Sequence, residues 1–303
     1  MEKLNNQFIM NLDFSIIIPT FNNLEFLKRA IRSIENQTTK NFETIIVVDG
    51  STDGTIDYLE KYDKKKINLK FFFINASGGP AKPRNIGMKM SSGKWLCFLD
   101  SDDEWSHNKI EELNKVIKKN NFDILYHLEI LKNGVYERII NKKKYKKNLY
   151  INLLLNGNIC STSATIVNSE FVKNNNIKFL ENRKFISVED YGFWLDIAKN
   201  NGRFLYLNKV LGTYYINDQS LTSKIFWHKK NMLRLVFYHI FVLNIDDKNI
   251  KKIWPKILLL YKVDIFILKI IKQKKYNTIL RLLYFFLKKP NALMFYILRK
   301  INL

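Results

Sequence analysis

Over residues 14–99, short β-branched or apolar runs alternate with stretches of helical spacing, and that alternation restricts the chain to an α/β sheet. Phe14 to Thr20 is an isoleucine-rich run stopped by Pro19. Leu24 to Asn36 follows, with Leu24, Leu27, Ile31 and Ile34 at the spacing of one buried helical face. Phe42 to Val48 predicts a second strand, the turn cluster Asp49 to Gly54 ends it, and Thr55 to Tyr62 predicts a second helix. Leu69 to Ile74 reads as a third strand, Ser77 to Pro83 as a Gly/Pro loop, Arg84 to Met90 as a short helix and Lys94 to Leu99 as a fourth strand. Strands joined by helices run parallel and are covered on both faces.

The fourth strand runs into Asp100-Ser101-Asp102-Asp103-Glu104, four acids in five residues. Carboxylates this close repel one another unless a cation offsets them, and an Asp-x-Asp pair at a strand end suits a divalent ion shared with a diphosphate. The competing reading is a solvated turn in which Asp102 or Asp103 caps a helix starting near Ser106. Beyond it, Lys109 to Lys118 predicts a helix, Ile124 to Ile130 a strand and Lys142 to Lys147 a solvated loop. Thr162 to Val167 predicts a further strand, Glu189 to Lys199 a helix, and Arg203 to Leu207 with Val210 to Tyr215 a strand pair.

Composition narrows the chemistry. Cys97 and Cys160 build neither a disulfide framework nor a zinc site, which fits a reducing cytoplasm, and residues 1–13 lack the pattern of a signal peptide. His107, His127, His228 and His239 show no metal-ligand spacing, so a catalytic metal would need oxygen ligands. The net charge of +22 is lopsided, with 17 Lys/Arg against three acids in residues 225–303. There the basic residues are interleaved with aliphatic and aromatic ones, as in Ile257 to Lys262 and Leu282 to Lys289, and no run approaches the ~18 apolar residues of a membrane span. Basic amphipathic helices of this kind suit an anionic bilayer surface, against the alternative that their apolar faces pack on the main domain.

In open α/β sheets, function collects beyond the carboxyl ends of the strands, where Pro19-Thr20-Phe21-Asn22, Asp49 and Asp100-Ser101-Asp102 fall. Neither G-x-G-x-x-G nor G-x-x-x-x-G-K-[ST] follows the first strand, which removes support for dinucleotide redox chemistry and P-loop hydrolysis. Five segments taken in order carry a resemblance: Ser15 to Asn22, Ile45 to Thr55, Pro83 to Gly87, Phe98 to Asp103 and Val188 to Trp194. Together they resemble the inverting family 2 glycosyltransferases of the GT-A fold, of the type that builds bacterial surface glycans, over roughly residues 14–215.

The resemblance implies a Rossmann-like, mainly parallel sheet flanked by helices. It makes residues 1–224 a catalytic domain, with a nucleotide-sugar half at about 14–105 and an acceptor half at about 106–224, followed by the basic helical region 225–303. It implies that Pro19, Thr20, Phe21 and Asn22 line a nucleobase pocket, that Asp49 accepts from base or ribose, and that Arg84 and Ser101 face the donor. For Asp49 the other reading is a turn carboxylate bonded to Ser51 or Thr52. Asp100 is implied on the ribose side and, with Asp102, in holding Mn2+ or Mg2+, while Asp103 and Glu104 are left to the next helix. Asp190 is implied as the catalytic base, with Glu189 and Trp194 on the acceptor side, where Trp194 is either a stacking platform or a core residue. Where the family often has a histidine near the end of the catalytic part, this chain offers Asn217 or Asp218.

The function these implications suggest is transfer of a hexose or N-acetylhexosamine, most simply from a UDP-sugar, to a hydroxyl of a growing surface glycan, and a lipid-diphosphate-linked acceptor at the inner face of the plasma membrane fits the basic tail. The rivals are an inactive scaffold of the same fold and a basic nucleic-acid-binding protein, and an acidic crevice disfavours the second.

Overall fold

The computed structural model describes residues 12–63, 65–141, 148–216, 225–244 and 246–273. The Lys142 to Lys147 loop, Asn217 and Asp218, residues 1–11 and the tail beyond residue 273, including Leu282 to Lys289, lie outside the described residues.

The chain opens as β1 (Phe14–Thr20), α1 (Leu24–Glu35), β2 (Phe42–Asp49), α2 (Thr55–Glu60), β3 (Leu69–Ile74), α3 (Ala81–Met90) and β4 (Trp95–Phe98). These four strands are parallel and ordered β3-β2-β1-β4. Every residue of β1 and β2 is buried, as a sheet covered on both faces requires. Within β1, Ile16 and Ile18 point into a core beneath α1, while Ile17 enters a second core on the opposite face, the two-residue alternation of a strand. Because the chain moves outward through β2 and β3 and then returns to the other side of β1, a crevice opens beyond the carboxyl ends of β1 and β4. At Gly87 a Cβ would lie 2.4 Å from the Ile17 side chain, so the missing side chain lets α3 press against β1.

The remaining elements are β5 (Glu104–Trp105), α4 (Lys109–Ile117), β6 (Ile124–Asn133), β7 (Tyr136–Ile140), α5 (Leu149–Asn156), β8 (Thr165–Asn168), α6 (Ser169–Asn174), α7 (Glu189–Lys199) and β9 (Phe204–Tyr215). They extend the sheet in the order β4-β8-β6-β9-β5, with β7 paired to β6. β8 runs antiparallel to both neighbours and β6 parallel to β9, so the second half of the sheet is mixed while the first half is parallel.

Several elements differ from the sequence reading. Phe204 to Tyr215 is one strand, not a pair, because its irregular register on β6 lets Asn208 and Lys209 ride over the break without a turn. Helix α3 begins at Ala81, inside the stretch read as loop, since Pro83 sits in its first turn and needs no N–H partner there. Glu104 belongs to β5, paired with Thr213.

Helix α8 (Ile225–Phe237) continues as a π-turn over Tyr238–Val242, followed by α9 (Lys248–Lys251) and α10 (Trp254–Gln273). Leu235 and Ile240 are fully buried, and with Val236 and Ile257 they join the core formed by α7 and Phe98. These four residues of the basic helices therefore pack on the sheet domain, while Ile225, Phe237 and Val242 stay exposed. Among the described residues no helix is long and apolar enough to cross a membrane.

Candidate active site

The carboxyl ends of β1, β2 and β4 meet α3, α7 and the 158–162 segment around one cleft of about 1220 Å³. Pro19, Thr20, Phe21, Asn22, Asp49, Arg84, Asp100, Ser101, Asp102, Glu189 and Asp190 all line it, although more than 160 residues separate the first from the last.

The first wall is held by its own loops. Asn22, in the left-handed region at φ 47°, donates its N–H to Ser51 Oγ at 3.0 Å and accepts from the Thr52 N–H at 2.7 Å. Asp53 accepts from the Leu24 N–H at 2.8 Å and from Thr55, and these hydrogen bonds hold its carboxyl below the usual range against burial. The effect is to staple the loop after β1 to the loop after β2. Phe21 is left 54% exposed at the rim, an available stacking face, whereas Thr20 and Ser101 are buried. Asp49 is buried and accepts from the Ser77 N–H at 2.7 Å and Ser77 Oγ at 2.8 Å, rather than from Ser51 or Thr52. A carboxylate has about four acceptor sites, so two remain for a ligand.

Arg84 lies deeper than a surface donor contact. It is 3% exposed and bridges two carboxylates, with Nη2 2.6 Å from Asp100 and Nη1 2.8 Å from Glu189. Burial opposes the charge, but Asp100 and Glu189 more than offset it and raise the guanidinium's pKa. Glu189 lines the cleft but is itself largely buried, and its Oε1 is held by the arginine.

Part of the cation demand of the acidic run is met by the protein. Arg29 donates to the Asp102 carbonyl and stacks over the Tyr215 ring at 3.8 Å, with its Nε 4.0 Å from Glu104. Asp103 is buried, which corrects the reading of it as a solvated or capping acid. It accepts from Ser163 Oγ at 2.5 Å and from the Tyr215 N–H at 3.0 Å, and burial together with Asp102 raises its pKa well above the carboxylate range. Ser163 is the junction beneath the turn: its Oγ also accepts from the Asp100 N–H at 3.1 Å, and its carbonyl accepts from Lys109 Nζ at 2.7 Å. Lys109 is fully buried, and burial pushes its ammonium down to about 7 against the pull of Cys97, Glu129 and Asp103.

Asp190 stands in the first turn of α7 across the cleft from the acidic turn, and Asn158 Nδ2 donates to its Oδ2 at 2.9 Å. Burial pushes its carboxyl up to about 7, Glu189 adds to the rise, and Arg84 opposes it. A carboxylate poised near neutrality suits proton abstraction from a hydroxyl. Trp194 corrects the stacking expectation: it is fully buried against Phe193 at 5.4 Å and Phe98 at 6.4 Å, and only the core reading stands. Helix α7 is buried on nearly every side, so one turn from Asp190 is core and not cleft.

Sequence reasoning missed Glu129, Asn158, Ser161 and His228. Glu129 is buried behind the wall, accepts from Ser161 and from Asn141 Nδ2 at 3.2 Å, and burial pushes it up to about 7. A glutamate inside the apolar run Ile124 to Ile130 was its visible signal. Asn158 and Ser161 lie in a polar stretch with no motif, and His228 reaches the cleft from α8, its Nδ1 3.2 Å from Ser187 Oγ.

For a divalent cation, Asp102 and Asp100 supply hard oxygen donors at the cleft. The described residues hold no group of three or more His, Cys, Asp or Glu that would cage an ion alone. One or two carboxylates completed by phosphate oxygens and water is a set that Mg2+ or Mn2+ accepts, so the residues fit a metal shared with a diphosphate.

Comparison with known proteins identifies relatives of this chain in sequence and in fold. Residues 15–174 match the family model described as glycosyl transferase family 2. An uncharacterized glycosyltransferase of Rickettsia bellii is 34% identical over 197 residues, covering 64% of this chain and 28% of that protein. The poly(ribitol-phosphate) β-N-acetylglucosaminyltransferase TarS of Staphylococcus aureus is 32% identical over 202 residues, 65% of this chain and 34% of TarS. The chain thus spans about a third of the length of these curated relatives. WfgD of Escherichia coli, a UDP-Glc:α-D-GlcNAc-diphosphoundecaprenol β-1,3-glucosyltransferase, is 31% identical over 215 residues, 70% of this chain and 80% of WfgD. The crystal structure of TarS residues 1–349 with UDP-GlcNAc superposes with a TM-score of 0.66 at 26% identity, covering 82% of this chain and 72% of that one.

Proposed function

The chain belongs to glycosyl transferase family 2, with the GT-A fold, and from that premise we propose that it transfers a hexose or N-acetylhexosamine from a UDP-sugar to a hydroxyl of a bacterial surface glycan, with inversion at the anomeric carbon. The observation that carries this reading is the convergence of Asp49, Asp100, Asp102 and Asp190 on one cleft, with a near-neutral carboxylate facing the acidic turn. The TarS complexes with UDP and UDP-GlcNAc support the donor class, and the acceptor in WfgD's name supports a lipid-diphosphate-linked substrate. We place the protein peripherally at the inner face of the plasma membrane.

In this mechanism Phe21 stacks on the base and Asp49 accepts from base or ribose. Asp100, oriented by Arg84, takes the ribose side, and Asp102 with Asp100 would hold Mn2+ or Mg2+. When bound, that ion neutralises charge gathering on the leaving diphosphate. Asp190 accepts the proton of the attacking hydroxyl on the face of the sugar opposite the leaving group, held there by Asn158. Inversion follows from this single displacement.

The test is nucleotide release by the purified chain from a panel of UDP-, GDP- and CMP-sugars, with and without Mn2+ and with lipid-linked acceptors. Metal-dependent release of UDP, reduced by about 10²-fold or more in Asp190→Asn and abolished in Asp102→Asn, is the expected result. No release and no calorimetric binding of any sugar nucleotide would refute the assignment and favour a scaffold.

A further inference from the structure

We propose that the β6–β7 hairpin is a docking surface for an anionic lipid bilayer, placed so that the acceptor side of the cleft opens at the membrane. β7 pairs with β6 alone, and four of its five residues are exposed. Val135 at the turn is fully exposed, Tyr136 is 56% exposed and Ile139 42%. Among the described residues nine large hydrophobic side chains are exposed, and three of them fall within residues 135–139. By strand alternation Tyr136 and Ile139 lie on opposite faces of β7, so the hairpin exposes apolar side chains on both faces beside Val135, a concentration that marks a contact surface.

The charges beside the cluster select the partner. Lys132 and Arg138 flank it in the hairpin register, opposite Glu137 and Leu131. Lys132 pairs with Glu137 at 2.9 Å, whereas Arg138 makes no ion pair among the described residues. In sequence the chain runs on from Asn141 through Lys142, Lys143, Lys144, Lys146 and Lys147. An aliphatic tip, a tyrosine at the level of the headgroups and flanking cations match the layered chemistry of an anionic bilayer, which a neutral protein surface does not offer.

Position gives the surface its use. Arg138, Ile139, Ile140 and Asn141 also line the active-site cleft, so whatever the hairpin tip rests on lies at the cleft mouth. A lipid-diphosphate acceptor would then enter without leaving the bilayer surface, an advantage that rests on the acceptor proposed above. The C-terminal helices bury Leu235, Val236, Ile240, Ile257, Leu260 and Val263 and leave Ile225, Phe237 and Val242 exposed at intervals along residues 225–242, not within five residues as on the hairpin.

The experiment is sedimentation of the full chain with vesicles of phosphatidylcholine alone or with one-third phosphatidylglycerol, for wild type and for Val135→Asp with Tyr136→Ser. Both side chains are exposed, and an unchanged unfolding midpoint confirms that the variant folds. Wild type is expected to bind the anionic vesicles, less so as salt rises, and the variant to bind about tenfold less. Equal binding by wild type and variant would overturn the proposal by moving the contact elsewhere, as would no binding by wild type. A hairpin-dependent dimer in light scattering, in place of vesicle binding, would overturn it in favour of a second copy of the chain. Vesicle binding without sugar transfer would refute the proposed reaction and leave the docking surface standing.

Discussion

Arg84→Met removes the guanidinium that bridges Asp100 and Glu189, leaving a 5% exposed Glu189 side chain and a 25% exposed Asp100 side chain without it. Removing one partner of a buried ion pair costs about 3–5 kcal/mol, and water at Asp100 relieves part of that, so about 3 kcal/mol is the working figure. At roughly 2–4 °C per kcal/mol for a domain of this size, the unfolding midpoint should fall by about 6–12 °C. The double variant Arg84→Met with Glu189→Leu removes the orphaned charge along with the cation and should recover much of the loss, since apolar replacement of a whole buried pair is close to neutral. The same cation also restrains Asp190, so its removal should lift that carboxyl further above about 7 and move the acid limb of kcat/KM to higher pH. Calorimetric or fluorescence melting of the three proteins, with a pH profile of nucleotide release, reads both effects. A single variant melting within about 2 °C of wild type, or a double variant no more stable than the single, would refute the bridge as the element that holds this wall.

Asp190 must be ionised to act as base, so kcat/KM should fall as pH drops below about 7. The same raised pKa means that the folded state holds this proton more tightly than the unfolded chain. Its stabilising effect is present at low pH and is lost as pH rises through about 7, so Asp190→Asn should gain more stability at pH 8 than at pH 5 in parallel melts. Ser163→Ala leaves Asp103 and the Asp100 N–H without their shared partner, and donor binding measured by calorimetry should weaken by about tenfold while Phe21 and Asp49 stay in place. Unchanged donor affinity would show that the turn holds itself. Trp194→Ala should cost about 3–5 kcal/mol in urea unfolding, and Trp194→Phe far less, because the buried indole N–H has no hydrogen-bond partner among the described residues. A raised acceptor KM in a stable Trp194→Phe protein would restore the stacking role.

The legible parts of this protein are those whose chemistry is local. The isoleucine and valine runs of β1 and β2 can be nothing but buried strands, and Glu189–Lys199 announces its helix through first-turn acids. The strand-end motifs likewise brought Asp49, Asp100 and Asp102 forward together, because carboxyl ends of parallel strands open on the same edge, whereas Asp190, in the first turn of α7, came forward only through the family resemblance. Periodicity lost its grip where the sheet turns mixed: β9 was split in two at its irregular register, and β7 and α5 went unread beside a lysine-rich stretch.

What sequence alone determined, then, is the βα frame, the residue types that gather at its rim and the charge imbalance along the chain, all consequences of side-chain period and composition. Tertiary structure decided which of those residues face the cleft and which face one another. Arg84 and Glu189 lie 105 positions apart and Asp103 and Tyr215 lie 112 apart, and no local pattern records that they touch. Trp194 and Asp190 share a helix, yet one is core and the other lines the cleft, because burial is set by what packs on α7 from elsewhere in the chain. The pKa of Asp190 belongs to the same class: a carboxyl ordinary in sequence is pushed up to about 7 only when folding removes water and brings Glu189 beside it, with Arg84 opposing the rise.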